Sequence, residues 1–386
     1  MKIAYCTDTI NRLGGIEVVT LAKANALAAL PGTQVWIVVA SNERSSLTRL
    51  YKANILDLAV RYYENDSKGG YWHALFDYMR KRKIHRQRLE EALNDIQPDV
   101  VISTGTSMKF ALPKFKLKSN PVLIRELHYS RHYRLETASS LRAWFMAFVG
   151  EFYDYHISIK KYDKIVVLTE ADKSGSWATW DKVVAIPNPI THASDNLSAG
   201  TEKVVVTAGR LAFSKNYVAM INAWRKVVDR HPDWSLHIWG SGAMQATLEQ
   251  HIKSLGLTDH VILKGFSSTV TDEMAKASLF ISTSVSEGFS LATLEAMSVG
   301  IPTVVYNCPG GIRYVVKDGE TGYLVKMNDE DAFVEKLCAL IENEELRKMM
   351  GRAALKEAQQ YRVEKIVQRW MELFQELLEK KRGTKT

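Results

Sequence analysis

The sequence predicts an α/β protein of two Rossmann-like, doubly wound domains facing a cleft. Three observations predict it. The chain has 386 residues, about twice what one hydrophobic core ordinarily serves. Strand-like apolar runs alternate with helix-length segments in two separate regions, the pattern of βαβ units and parallel sheets. Between the regions lies Ile186-Pro187-Asn188-Pro189-Ile190, whose two prolines disfavour helix and stiffen the chain as a linker does. The expected domains are 1–187 and 188–362, with a C-terminal helix over 363–386.

The first region opens without a leader: Met1-Lys2 runs straight into the β-type segment Ile3–Cys6, so no signal peptide is expected. A loop through Asn11-Arg12-Leu13-Gly14-Gly15 follows, then a helix over Ile16–Leu30 rich in Ala, Leu and Val. Val35–Ala40 reads as a buried strand, Gln87–Ile96 as a helix, and Asp99–Ser103 and Val122–Ile124 as further strands. The second region begins with the strand Val204–Thr207. Helix Asn216–Asp229, strand Trp234–Trp239, helix Ala243–Ser254 and strands Val261–Leu263 and Leu279–Ser282 follow. Helix Ser290–Val299 and strand Pro302–Tyr306 complete the alternation, and Asp329–Lys381 reads as successive helices. Ligands of open α/β sheets bind beyond the carboxyl ends of the strands, so functional residues are expected in loops that follow strands.

Composition narrows the function classes. At 46% hydrophobic and 24% charged residues, the chain is neither disordered nor fibrous. No apolar run nears the roughly 18 residues of a membrane span. Three cysteines without a Cys-x-x-Cys pair (Cys6, Cys308, Cys338) argue against a disulfide framework and a cysteine-rich zinc site, and point to the cytoplasm. The net charge of +8 is unevenly placed: residues 1–190 hold 27 Lys and Arg against 19 Asp and Glu, and residues 191–386 hold 24 against 24. A basic first half invites an anionic partner, whether nucleic acid, membrane surface or phosphate-bearing substrate.

Two loops carry the chemistry. Ser286-Glu287-Gly288-Phe289-Ser290 follows a strand and enters a helix that contains Glu295. Unpaired N–H groups at a helix start favour an anion, and two carboxylates with seven residues between them could hold two parts of one polyol. The plain alternative is a solvated loop Glu287 and an exposed helical Glu295. Gly209-Arg210-Leu211-Ala212-Phe213-Ser214-Lys215-Asn216 also follows a strand and precedes a helix. Its two cations could clamp a diphosphate, Arg as a bidentate fork and Lys as a point charge; two ordinary surface cations are the alternative. Gly240-Ser241-Gly242 permits a tight turn or close backbone approach to a ligand. The chain's Asp-x-Asp, Asp329-Glu330-Asp331, precedes a helix and reads as a cap, not a metal site.

In this order the motifs resemble the donor-binding domain of the retaining glycosyltransferases of family 4, which have the GT-B fold. The resemblance covers most of 201–360. It rests on Gly209-Arg210…Lys215, Gly240-Ser241-Gly242, and Glu287-Gly288-Phe289…Leu294-Glu295-Ala296-Met297. Gly300-Ile301-Pro302 and Asp318-Gly319-Glu320-Thr321-Gly322 extend it, and Gly14-Gly15-Ile16-Glu17 is similar to the family's first glycine-rich loop. The resemblance implies a nucleotide-sugar donor, UDP-linked in bacterial-type members. Arg210 and Lys215 would contact its diphosphate, Glu295 the ribose and Glu287 the transferred sugar. The backbone of Gly288, Phe289 and Ser290 would support phosphate or sugar, and Gly14 and Gly15 would let the first domain approach the donor. Family members carry a histidine near the position of His128, close to the transferred sugar, with a structural histidine as the alternative; His132 lies four residues on. Anomeric retention by a front-face process would need neither a protein nucleophile nor a metal, and no cofactor is expected. The last helices would cross back to the first domain.

The acceptor implied is a glycan growing on a lipid carrier or lipopolysaccharide. Asn307-Cys308-Pro309-Gly310-Gly311 resembles members that build surface polysaccharides. Arg80–Lys83 with Arg86 and Arg88 puts six cations in nine residues, after Trp72, Leu75, Phe76 and Met79 at helical spacing. Trp144, Phe145, Phe148, Phe152 and Tyr155 form a second aromatic stripe. The plain reading makes the aromatics core and the cations solvated; the sharper one is a peripheral contact with an anionic membrane surface. Two rivals remain: a nucleotide-sugar 2-epimerase on the same fold, and a nucleic-acid-binding protein. No nucleic acid is expected, since no RRM, KH or zinc-finger pattern occurs.

Overall fold

A computed structural model of the chain describes residues 1–10, 14–41, 52–60, 71–105, 108–128, 140–175 and 177–383. Two compact units emerge, Met1–Pro189 with Val363–Thr386, and Ile190–Arg362. The first contains, in chain order, β1 (Lys2–Thr7), α1 (Gly15–Ala28), β2 (Gln34–Val39), β3 (Asn54–Asp57), α2 (Tyr71–Ile96), β4 (Val100–Ser103), β5 (Val122–Glu126), α3 (Leu141–Tyr153), β6 (Lys164–Val167), α4 (Glu170–Ser174) and β7 (Val183–Ala185). Its strands form a parallel sheet in the order β3-β2-β1-β4-β5-β6-β7. The central strands are apolar without alternation because both faces are covered: Ile3, Ala4, Tyr5 and Val100–Ile102 are fully buried.

The second unit holds β8 (Val204–Ala208), α5 (Tyr217–Arg230), β9 (Ser235–Trp239), α6 (Gln245–Ser254), β10 (Val261–Gly265), α7 (Val270–Met274), β11 (Leu279–Ser282) and α8 (Leu291–Ser298). After these come β12 (Thr303–Tyr306), α9 (Ile312–Val315), β13 (Gly322–Val325), α10 (Glu330–Glu342) and α11 (Glu344–Ala358). The strand order is β10-β9-β8-β11-β12-β13, again parallel. In each sheet the order reverses once, between β1 and β4 and between β8 and β11. Chain crossovers diverge at such a reversal and leave a crevice beyond the carboxyl ends of the two strands. The loops after β8 and β11 are those that carry Arg210, Lys215 and Glu287.

The terminal helix α12 (Val363–Gly383) returns to the first unit. Ile366, Val367, Trp370, Phe374 and Leu377 recur at helical spacing and enter the core beside Ile3, Tyr5, Leu21 and Leu27, each burial worth up to about 2 kcal/mol. The helix expected over Gln87–Ile96 extends back to Tyr71. The expectation that the aromatic stripe of α3 is core is corrected: Trp144, Phe145, Phe148 and Phe152 are exposed, and only Tyr155 of that set is buried. Phe76 and Met79 on α2 are exposed as well; the side chains of Trp72 and Leu75 lie outside the described residues. Among the described residues no helix is long and apolar enough to cross a membrane.

Candidate active site

The loop after β8 is shaped by backbone constraint. Gly209 sits at φ +157°, where a Cβ would lie 3.1 Å from the Tyr217 hydroxyl. A short 3₁₀ turn, Phe213–Lys215, then ends on Asn216 in the left-handed region at φ +52°. The Thr283 hydroxyl donates to the Asn216 carbonyl at 2.9 Å, and the Val285 N–H donates to the Ser214 carbonyl at 2.9 Å. These bonds tie the 213–216 turn to the exit of β11. The result is a direct ion pair between the two motifs: the Lys215 ammonium donates to Glu287 Oε1 at 2.6 Å, with a quarter of the Lys215 side chain still exposed. Arg210 lies exposed in the same loop.

Glu287 is braced from behind. Its N–H donates to the Pro309 carbonyl at 3.1 Å, and its carbonyl accepts from the Gly311 N–H at 2.9 Å. Gly310 stands at φ +110°, and a Cβ there would fall 1.8 Å from the Glu287 carbonyl oxygen. Only glycine permits this approach. Cys308 in the same segment is buried; burial and then the Glu287 charge push its thiol up to about 12, so it is no nucleophile at neutral pH. Beyond Glu287-Gly288, the Phe289 ring turns inward against Tyr361, centroids 5.7 Å apart, and α8 begins after Ser290, whose hydroxyl pairs with that of Thr293 at 2.8 Å.

Glu295 is buried on α8 rather than exposed. Its Oε1 accepts from the Thr191 hydroxyl at 2.6 Å and lies 3.1 Å from His192 Nδ1. That bond to Glu295 raises the His192 pKa above its ordinary value, against the effect of burial. Thr191 and His192 escape sequence reading because they follow the linker with no motif of their own. Gly240-Ser241-Gly242, read as a tight turn or a ligand approach, has a packing role in the structure. A Cβ on Gly240 would lie 1.9 Å from the Gly209 carbonyl oxygen, and one on Gly242 2.4 Å from that of Leu211. These glycines let the Arg210 loop rest on its neighbour.

In the first unit, Gly14 is the N-cap of α1 and Gly15 its first residue. A Cβ on Gly14 would meet only the flexible Glu17 carboxylate. His128 lies just past β5, buried, with Nε2 3.4 Å from Glu126 Oε1. Burial pushes its pKa down to about 4 despite that carboxylate, so the ring is neutral at pH 7. Glu126 is held ionised by buried Lys23 of α1, which bonds the same oxygen. Lys23 also stands 4.9 Å from the centroid of the Trp370 ring. Among the described residues, both His128 nitrogens, Glu126 Oε2 and the Tyr5 hydroxyl have no hydrogen-bond partner. Beside the ends of β1 and β4, a cavity of about 10 Å³ is lined by Thr7, Asp8, His85, Ser103 and Gly105. His132 and Asn11-Arg12-Leu13 lie outside the described residues.

Residues 190–357, nearly the whole second unit, match the family model of glycosyl transferases group 1. Through this unit the chain is similar to the group 1 glycosyl transferases. An uncharacterized glycosyltransferase of Haemophilus influenzae is 28% identical over 379 residues, 96% of this chain and 98% of that protein. An exopolysaccharide phosphotransferase of Streptomyces coelicolor is 31% identical over 315 residues, 80% of this chain. The chain spans 31% of that relative's length. A variant of S. aureus TarM solved with UDP, fondaparinux and α-GlcNAc-glycerol superposes with a TM-score of 0.75 at 16% identity. The match covers 97% of this chain and 99% of that one, and it shows the fold, that of the GT-B glycosyltransferases.

The second unit holds two further acidic groups. Asp329 caps α10, its carboxylate accepting from the Ala332 N–H at 3.1 Å. Asp331 and Glu330 both pair with Lys226. Among the described residues one further group has metal-ligating chemistry: His231, Cys338 and Glu342, with ligand atoms within 4.8 Å of one another. There Glu342 is already paired with Arg230 at 2.8 Å, and burial raises the Cys338 thiol pKa.

Proposed function

We propose that the chain transfers a sugar from a UDP-sugar to a hydroxyl of a growing glycan, with retention of anomeric configuration and without a metal, as family 4 members do. The observation that carries the reading is the Lys215–Glu287 pair at the switch point of the second sheet, beside the start of α8. Cation and carboxylate satisfy one another in this pair. A donor divides them: its diphosphate takes Lys215 and Arg210, and Glu287 accepts from hydroxyls of the transferred sugar. Glu295, held by Thr191 and His192, meets the ribose. Relatives' names support the substrate class: TarM was solved with UDP and a glycan, and the Streptomyces relative is named for exopolysaccharide.

In the reaction the bond from the anomeric carbon to the UDP oxygen breaks and a bond to the acceptor oxygen forms. The acceptor's proton passes to the departing phosphate oxygen. Charge developing on that phosphate is met by Arg210, Lys215 and the N–H groups at the start of α8, fixed before the reaction begins. The acceptor reading is a glycan carried on a lipid. A screen of UDP-sugars for thermal stabilisation, followed by proton NMR of the product's anomeric configuration, tests the proposal. No stabilisation by any UDP-sugar, or an inverted product, overturns it.

A further inference from the structure

Helix α3 turns its apolar side outward. Leu141, Trp144, Phe145, Phe148, Val149 and Phe152 all expose their side chains; Leu141 is 87% exposed, Phe145 59% and Phe152 56%. At 100° per residue the six share one arc of about 140°, and no charged residue interrupts it. Trp144 and Phe148 stack with centroids 5.5 Å apart and planes 11° from parallel, forming a flat ring surface. The helix is held to its unit at the margin of this arc and at its carboxyl end. Glu151, just outside the arc, is buried, Asp154 just beyond the helix bonds buried Lys109, and Tyr153 meets Phe110 edge-on at 5.2 Å. A helix of a soluble domain ordinarily buries its apolar stripe. This one exposes on the order of 600 Å² of apolar surface, at the top of the range for the largest patch on an ordinary monomer.

The charge around the stripe says what covers it. Arg142 is exposed at its start, and the helical run continues through Ile157, exposed, to Lys160 and Lys161, both exposed. Cations thus frame an uncharged aromatic face at both ends. Helix α2 repeats the arrangement: Phe76 and Met79 are exposed at its start, with exposed Arg80, Lys83 and Arg86 after them. Both helices are fastened to one connecting segment. Met108 and Leu112 pack with Leu89 of α2, while Lys109 and Phe110 hold the end of α3. Aromatic rings enter the headgroup boundary of a bilayer, and flanking lysines and arginines are drawn to anionic headgroups.

We propose that the outward face of α3, with the basic margins of α3 and α2, docks this unit on an anionic lipid bilayer as a peripheral contact. The inference is independent of the donor chemistry. Flotation with vesicles of phosphatidylcholine, with and without phosphatidylglycerol, tests it on the full chain. The wild type floats with the anionic vesicles, less so at high salt. The triple variant Phe145→Ser, Phe148→Ser, Phe152→Ser changes exposed positions only, so its thermal midpoint and its response to UDP stay as in the wild type. Its vesicle affinity falls at least about tenfold. The pair Lys160→Glu, Lys161→Glu loses roughly fivefold per lysine on anionic vesicles alone. Equal binding to both vesicle types, or undiminished flotation of the serine variant, overturns the proposal. So does a wild-type dimer that ignores vesicles and becomes monomeric in the serine variant, which would make the face a contact between copies.

Discussion

Replacing Lys215 with alanine removes one fixed cation from the loop after β8 and leaves Glu287 without its partner. Opposite unit charges about 4 Å apart attract by about 4 kcal/mol at an effective dielectric of about 20. The Lys215 side chain is 26% exposed, so water screens part of this and roughly 3 kcal/mol remains. That corresponds to about a hundredfold loss of turnover, the scale set by removing one preorganised donor from a developing oxyanion. The fold suffers less. Glu287, at 12% side-chain exposure, loses a charge-assisted hydrogen bond worth about 1–2 kcal/mol. In a unit of this size the thermal midpoint drops by roughly 3–8 °C. The assay is UDP release from the UDP-sugar that the wild type consumes, beside a thermal scan. Lys215→Arg keeps the charge and recovers at least about a tenth of the wild-type rate. If Lys215→Ala turns over within about threefold of wild type, Lys215 does not meet the departing diphosphate and the reasoning fails.

The remaining predictions concern the supports. Glu287→Gln keeps the size of the side chain but not its charge; sugar transfer falls by about a hundredfold or more while UDP affinity changes little, and a parallel loss of both would place Glu287 on the nucleotide instead. Gly310→Ala forces a Cβ to within 1.8 Å of the Glu287 carbonyl at φ +110°; it costs about 2–4 kcal/mol, whereas Gly319→Ala, at φ +75° with nothing within 4 Å, costs about 1 kcal/mol, and equal midpoints for the two would contradict the bracing role. His128 has its folded pKa lowered to about 4, so the unfolded chain binds the extra proton first, and stability is lost as pH falls from about 6.5 towards 4. His128→Asn removes up to about 3 kcal/mol of that acid sensitivity, although His85, lowered to about 4 as well, leaves a residual slope; identical pH profiles would show His128 to be solvated. Excess EDTA leaves sugar transfer unchanged, and activity restored only by Mg²⁺ or Mn²⁺ would refute a metal-free departure.

Most strands were legible in the sequence, and those toward the edges of the first sheet were not. Val35–Ala40 and Val204–Thr207 appear within a residue or so as Gln34–Val39 and Val204–Ala208. Asn54–Asp57, Lys164–Val167 and Val183–Ala185 passed unread; they lie toward the two edges of the sheet, where partly exposed positions such as those of Asn54–Asp57 interrupt the apolar run. At the site, the two loops were legible because each follows a strand and precedes a helix. Their mutual contact was not: Lys215 and Glu287 lie 72 residues apart, and only the order β8-β11 makes them neighbours. The alternative for Glu295, an exposed helical carboxylate, does not hold, because Thr191 and His192 from beyond the linker bond it in a buried position. The α3 aromatics misled for a physical reason. A stripe at helical spacing shows which side of a helix is apolar, not which part meets the rest of the chain, and here the contacts gather at the carboxyl end, at Tyr153 and Asp154.

Hydrogen exchange of the full chain with and without UDP addresses the central claim most directly. Binding across the switch point of the second sheet slows exchange in both the 209–216 and 286–297 segments, and Lys215→Ala weakens both effects together. Protection confined to the first unit, or to only one of these two segments, would contradict a diphosphate held between the loops that follow β8 and β11.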